Sequence, residues 1–332
     1  MPRSTNVVAA PEEQTMFGQI VSDAPVTGVE HWAMKEEVRL FLWEKFVERP
    51  DDKPAVLFVH GSSMASQPTF DLTVPERPDS SVMDWFAQRG FVCWSVDMEG
   101  YGRSDKKRDI TCDIANGADD LAAGTAYISR TRGVQRFCVY GISSGALRAA
   151  LFAQKHPDRV ARLALDAFVW TGEGSPTLGE RRKKLPEFLK AKRRPIDRAF
   201  VYSIFERDHP ECAEKRVVDA FADAILALDS SMPNGTYIDM CSKLPLVDPA
   251  AIAAPTIIMR GEYDGIAGVA DLVNFFVRLP NPDKQFTVMP GISHASFQQK
   301  NYLTVYHILF SFFTRPTPVY QPAASVAHTS SA

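Results

Sequence analysis

The stretch Val139-Tyr140-Gly141-Ile142-Ser143-Ser144-Gly145 decides how this chain is read. Arg136 to Tyr140, just before it, has the apolar character of a short buried strand. Ala146 to Gln154, just after it, suits a helix with small residues near its start. A serine stands between them, with a glycine two residues away on each side. This is the G-x-S-x-G pattern in a strand–turn–helix setting. So sharp a turn leaves no room for bulky neighbours, which is why glycines flank it. Ser143 is expected in a strained backbone conformation with its hydroxyl lifted clear of the sheet. The helix behind it would aim N–H groups and its positive dipole end at that hydroxyl.

Working outward, apolar strand-like runs alternate with helical ones. His31 to Glu37 and Val38 to Val47 read as two antiparallel strands. Ala55 to Val59, Phe91 to Val96 and Val160 to Phe168 read as strands buried on both faces, with helices over Ser80 to Gly90 and Ala115 to Arg132. After residue 170 the alternation stops. Residues 171–250 are charged and proline-punctuated, with helical pieces over Leu178 to Lys192, Pro195 to Phe205 and Glu211 to Leu228. Alternation resumes with strands Thr256 to Met259 and Lys284 to Met289 and helices Gly268 to Leu279 and Tyr302 to Phe313. The pattern predicts an α/β fold around a mostly parallel sheet. Residues 25–170 and 251–315 form its core, and 171–250 form a helical cap inserted between two strands. A separate second domain is the alternative. Residues 1–24 read as an N-terminal arm and 316–332 as a disordered tail.

Composition narrows the function classes. The chain has 332 residues, 45% of them hydrophobic, and a net charge of −3. Nothing in that balance points to nucleic acid or to an anionic membrane. The five cysteines (93, 112, 138, 212 and 241) are scattered and odd in number, without C-x-x-C spacing. They suit reduced thiols in a cytoplasmic protein better than a disulfide frame or zinc site. No run approaches the roughly 18 apolar residues of a membrane helix, and Met1 to Gln19 carries Arg3 but no apolar core, so no signal peptide is expected. Residues 179–198 hold nine basic side chains; they read as solvated helix faces or, alternatively, as a rim attracting an anionic substrate.

A serine hydroxyl needs a base to take its proton and a carboxylate to orient that base. His294 follows the last strand, at the sheet edge where Ser143 must lie. Asp264 follows the preceding strand, in Gly261-Glu262-Tyr263-Asp264. Asp166, ending an earlier strand, is the runner-up, and Glu262 is a weaker candidate. Acyl transfer also needs two N–H donors for the oxyanion. The backbone of Ser144 and that of Ser62, in His60-Gly61-Ser62-Ser63, are placed to supply them, while His60 reads as a brace for its loop. Ser63, Phe168 and Trp170 are expected at the substrate. Phe200, Tyr202 and Phe205 would line an acyl pocket or form the insert's own core. Gly100-x-Gly102-x-Ser104 after Asp97 lacks a full dinucleotide fingerprint, and neither a phosphate loop nor a metal-spaced His/Cys cluster appears. No cofactor and no metal are expected.

Together His60-Gly61, Asp97 to Ser104, Gly141 to Gly145, Gly261 to Asp264 and Gly291-Ile292-Ser293-His294 resemble the α/β-hydrolase superfamily over roughly residues 30–315. The resemblance implies about eight strands and a cap after the sixth. The order serine, aspartate, histidine fits it. Haloalkane dehalogenases and epoxide hydrolases of this superfamily carry aspartate at the elbow; Ser143 argues against both. The expectation is a cofactor-independent serine hydrolase of a small-molecule ester or lactone. The rivals are a C–C bond hydrolase, a lyase, an amidase or peptidase, and a non-catalytic ligand-binding protein. Neither nucleic acid nor membrane is an expected partner. The arm is a candidate cover for a second copy of the chain, which allows a homodimer.

Overall fold

The computed structural model describes residues 14–16 and 19–318. Its centre is one eight-stranded sheet. The strands are β1 (Val26–Lys35), β2 (Val38–Val47), β3 (Ala55–Val59), β4 (Val92–Val96), β5 (Phe137–Ile142), β6 (Val160–Asp166), β7 (Thr256–Gly261) and β8 (Lys284–Met289). They lie in the order β8-β7-β6-β5-β3-β4-β2-β1. Only the β1–β2 and β2–β4 pairings are antiparallel; the other five are parallel. The expected α/β-hydrolase sheet is therefore present, with its strands within a few residues of their sequence-based limits.

Every residue of β3, β4 and β5 is buried, as continuous apolar runs require when both faces are covered. Side chains alternate between two cores. Leu57, Val59, Trp94 and Val139 point into one, under α3 (Ile114–Arg132), α4 (Ser144–Lys155) and α10 (Val269–Arg278). Val56, Phe58, Cys93 and Tyr140 point into the other, under α2 (Val82–Ala87) and the aromatic closing helix α11 (Tyr302–Thr314). The Asp113 side chain caps the start of α3 through the Asn116 N–H, and Gly133 ends it in the left-handed region. Strand β8 is half-buried along most of its length, as an outer strand should be.

Between β6 and β7 the chain leaves the sheet to build five helices. These are α5 (Pro176–Lys183), α6 (Leu185–Lys190), α7 (Arg198–Glu206), α8 (Lys215–Leu226) and α9 (Gly235–Ser242). The single helix expected over Leu178 to Lys192 is broken at Lys184, where Leu185-Pro186 opens a new one. A short ladder, Arg193–Pro195 with Ser231–Pro233, was not visible in the sequence pattern. A short helix, α1 (Ser66–Phe70), lies after β3, earlier in the chain than these five. Most of the N-terminal arm and the tail from residue 319 lie outside the described residues. Among the described residues no helix is long and apolar enough to cross a membrane, and all five cysteines are free and buried.

Among the described glycines, Gly145 at the Ser143 turn makes the closest approach to main-chain atoms. A Cβ on Gly145 would lie 2.3 Å from the Val59 carbonyl oxygen and 2.5 Å from that of His60, and one on Gly141 would lie 2.4 Å from the Gly145 oxygen. All of these are main-chain atoms, with no flexible end to move aside. Gly145→Ala is therefore expected to destabilise the protein by about 1–3 kcal/mol or more, read as a lower thermal midpoint by circular dichroism. A midpoint equal to that of the unaltered protein would contradict this account.

Candidate active site

Because β3, β5, β6, β7 and β8 run parallel, their C-terminal ends open onto one edge. Ser143 leaves β5 there with φ 59° and ψ −124°, outside the regions a serine ordinarily occupies. Its N–H donates to the Asp166 carbonyl, 2.9 Å away. The strained geometry is held because β6 on one side and the glycine contacts on the other fix the turn.

His294 comes from the loop after β8 and places Nε2 3.0 Å from the Ser143 hydroxyl. Its Nδ1 lies 3.1 Å from Oδ1 of Asp264, in the turn after β7. That oxygen also accepts the Ile266 N–H at 2.9 Å. The network assigns the imidazole proton to Nδ1, leaving Nε2 to accept from serine. All three side chains are buried. Burial pushes the Asp264 carboxyl up, but the charge and hydrogen bond of His294, the Ile266 N–H and Arg207 outweigh it and hold it below its ordinary value.

The runner-up carboxylates have other work. Asp166 is fully buried and accepts from the Tyr140 hydroxyl at 2.6 Å. Burial, with a smaller push from Asp264, raises its carboxyl to about 7 against the hydrogen bonds that favour the charged form. Glu262 accepts the Gly291 N–H at 2.8 Å and so steadies the histidine loop. The same loop is gripped from the far side by Arg77, which donates to the carbonyls of Phe297 and Gln299 at 3.0 and 2.9 Å.

The loop after β3 touches the serine. A Cβ on Gly61 would lie 3.4 Å from that of Ser143, and the Ser62 hydroxyl donates to that of Ser144 at 2.6 Å. Ser144 opens α4, so its N–H lies in the first turn, where helices lack internal acceptors. His60 braces the loop as expected. Its Nδ1–H donates to the Gly61 carbonyl at 2.8 Å, and its Nε2 accepts the Met98 N–H at 3.0 Å. Burial, and then Arg148, lower it to about 3, so it stays neutral. Asp97 ties down its own loop by accepting from Ser66 and the Arg103 N–H.

A cavity of about 390 Å³ opens over Ser143 and His294. Ser62, Ser63 and Phe200 line it, with Tyr237 and several basic side chains from the insert. Phe168 and Trp170 do not, contrary to expectation. Asp271 of α10 accepts the N–H groups of Trp170, Thr171 and Gly172, which pulls this segment down. Both rings then pack on Phe275, at 4.8 and 5.8 Å. Phe205 packs on Phe221 inside the insert, and the Tyr202 hydroxyl bonds to Asp219. Tyr237 and Arg194 have no short motif that marks them in the sequence. The nearest signal to Arg194 is the basic run of residues 179–198.

Asp208, Asp264 and His294 bring one ligand atom each within 4.8 Å of one another. Arg207 donates to both oxygens of Asp208, at 2.9 and 2.7 Å, while the imidazole already bridges serine and aspartate. This donor set is committed within the protein and fits a charge network better than a metal cradle.

A serine, an imidazole and a carboxylate on the loops of a parallel sheet, with a helical insert above, describe an α/β hydrolase. Residues 50–301 match the family model for serine aminopeptidase, S33, and the chain belongs to that family of α/β hydrolases. A proline iminopeptidase of Neisseria meningitidis is 25% identical over 260 residues, 69% of this chain and 79% of that one. Among solved structures, the fold is similar to an esterase from Thermogutta terrifontis (TM-score 0.63, 19% identity, 86% of this chain and 98% of that one). It is also similar to E-2-(acetamidomethylene)succinate hydrolase (0.64, 20%, 86% and 99%) and to the enol-lactonase of Burkholderia xenovorans (0.61, 15%, 86% and 100%).

Two stability tests follow from this geometry. Ser143→Gly is expected to raise the thermal midpoint. Relief of about 1–3 kcal/mol of backbone strain exceeds the roughly 0.5–1 kcal/mol that a glycine's extra freedom costs. An unchanged or lower midpoint would argue against strain. For Asp166 the folded carboxyl titrates above the unfolded one, so its stabilising share is full at low pH and is lost as pH rises. Asp166→Asn has no such loss. Its midpoint relative to the unaltered protein should therefore climb between about pH 4 and about pH 7 and level off beyond. Parallel pH–stability curves would refute the assignment.

Proposed function

We propose that the protein is a serine hydrolase that cleaves a carboxylic ester or lactone through an acyl-enzyme on Ser143. The observation that carries this reading is the hydrogen-bonded chain from Ser143 through His294 to Asp264, at 3.0 and 3.1 Å. As the Ser143 oxygen attacks the carbonyl carbon, Nε2 of His294 takes its proton. Asp264 stays ionised, holds the Nδ1–H tautomer and stabilises the imidazolium. The carbonyl oxygen becomes an oxyanion, received by the N–H groups of Ser62 and Ser144. Collapse expels the alcohol, which takes the proton from Nε2. A water deprotonated by the same nitrogen then attacks the acyl carbon, and Ser143 leaves as the free hydroxyl. No step calls on a cofactor.

The family's aminopeptidase name and the iminopeptidase relative favour a second reading, release of an N-terminal residue. Cavity charge weighs against it. Such a substrate brings a protonated amine, and this cavity presents Arg181, Lys184, Arg194 and Arg207 against the single carboxylate of Glu187. An ammonium group would meet repulsion there.

Short-chain 4-nitrophenyl esters, γ-lactones and proline arylamide assayed side by side test the choice. Ester or lactone turnover is expected to exceed arylamide turnover. Ser143→Ala should lower it at least about 10⁴-fold and Asp264→Asn by roughly 10³–10⁴-fold, with near-native circular dichroism in both. Asp166→Asn should stay within about threefold, since Asp166 does not touch the imidazole. Full activity in Ser143→Ala would end this reading, and faster arylamide cleavage would favour the second. Carbon–carbon cleavage would be recognised from its own pair of products.

A further inference from the structure

The cations over the serine are poorly matched by protein carboxylates. Arg207 is held by Asp208. Among the described residues neither Arg181, Lys184 nor Arg194 makes an ion pair within 4.0 Å, although Glu187 lines the same cavity. Arg181 is half-buried and Lys184 exposed. A neighbouring cavity of about 440 Å³ shares Arg181, Lys184 and Arg207, so these cations line both cavities.

Two of the guanidiniums are built in rather than waving in solvent. Arg194 and Arg181 lie over the same Tyr237 ring, at 3.7 and 4.3 Å from its centre. Arg194 donates to the Pro233 carbonyl at 2.6 Å, to the Ser62 carbonyl at 3.1 Å and to the Ser63 hydroxyl at 3.2 Å. Its Nε–H is buried and has no acceptor. The Tyr237 hydroxyl lies 3.2 Å from that of Ser63. Burial alone would push this phenol up, yet Arg181 and Arg194, with help from Ser63 and Arg207, bring it down to about 7. Positive potential thus concentrates beside the loop that carries the Ser62 N–H. Half-buried cations offset only by a phenol that is partly ionised at neutral pH are costly to keep unless something more negative visits them.

We infer that the substrate is an ester bearing a carboxylate a short spacer from the scissile carbonyl, held by Arg181 and Arg194 over the face of Tyr237. The inference rests on the hydrolase reading of Ser143 and adds the chemical class of its substrate. The planar fork of Arg181 suits a carboxylate better than the point charge of a lysine would, while Arg194, whose terminal N–H groups already have acceptors, adds its charge beside it. Contact with Arg194 would also set the carbonyl beside the donor loop, because the same side chain holds the Ser62 carbonyl.

The test compares matched esters. The 4-nitrophenyl monoester of glutarate is set against its methyl-capped neutral form, and 4-acetoxybenzoate against its methyl ester. One pair carries the charge on the acyl side and the other on the alcohol side. In at least one pair, kcat/KM for the anion should exceed that for the neutral form by about tenfold or more. This ratio should fall about tenfold in Arg181→Gln and in Arg194→Gln. It should not change in Lys183→Gln, which removes an exposed charge outside the cavity. It should shrink as salt rises from about 20 to 500 mM, a readout that needs no variant. Ratios near one in both pairs, or ratios that survive both arginine changes, would overturn the inference. Calorimetric titration of Ser143→Ala with glutarate, against neutral glutaramide, separates the two readings. Glutarate binding that is lost in the added Arg181→Gln change, with no ester turnover by the intact serine, would sink the hydrolase reading alone. Neutral-ester turnover without glutarate binding would sink this inference alone.

Discussion

Everything at this site depends on how closely the start of α4 approaches the end of β3. Position 145 has main-chain oxygens at 2.3 and 2.5 Å from where a side chain would begin. That contact brings the Ser143 turn against the His60–Ser63 loop and fixes both relative to the sheet. Two strands place Ser143 and the His60–Ser63 loop, and two more place Asp264 and His294. Parallel pairing brings all four ends to one edge without any long-range adjustment. The fold does the positioning, and local chemistry then decides what each group can do.

Charge at the edge is sorted by surroundings rather than by residue type. Asp264 and Asp166 are both buried aspartates on adjacent strand ends. Asp264 faces an imidazole and an amide, with Arg207 nearby, and is held ionised. Asp166 has mainly a tyrosine hydroxyl and burial, and its carboxyl rises to about 7. The two histidines divide in the same way. His60 is locked between a carbonyl and an N–H and kept neutral. His294 instead bridges a carboxylate and a hydroxyl.

The strands, the elbow and the serine–aspartate–histidine chain were legible in the sequence. Strand periodicity and the position of each residue just past a strand are local signals, and parallel pairing converts them into proximity. The cavity wall was not. Phe168 and Trp170 look like lining residues because they follow β6, but Asp271, about a hundred positions away, captures the backbone there and turns the rings inward. No local pattern announces that contact. The basic run splits by position. Arg182, Lys183, Lys190 and Lys192 are exposed, whereas Arg181, Lys184 and Arg194 line the cavity. The break at Lys184 resets the helix phase, so sequence spacing could not tell which side chains face inward.

The insert is sewn to the machinery below it. Arg194 holds the Ser62 carbonyl, Arg193 holds that of Gly100 at 2.9 Å, and Asp229 accepts the Gly102 N–H at 2.8 Å. These stitches land on the loops that follow β3 and β4, the first of which touches Ser143. The segment is therefore not an interchangeable module. Transplanting a relative's version would also remove the struts of the loop beneath it. A chimera made to alter selectivity would have to carry residues 60–63 and 97–104 along with the graft.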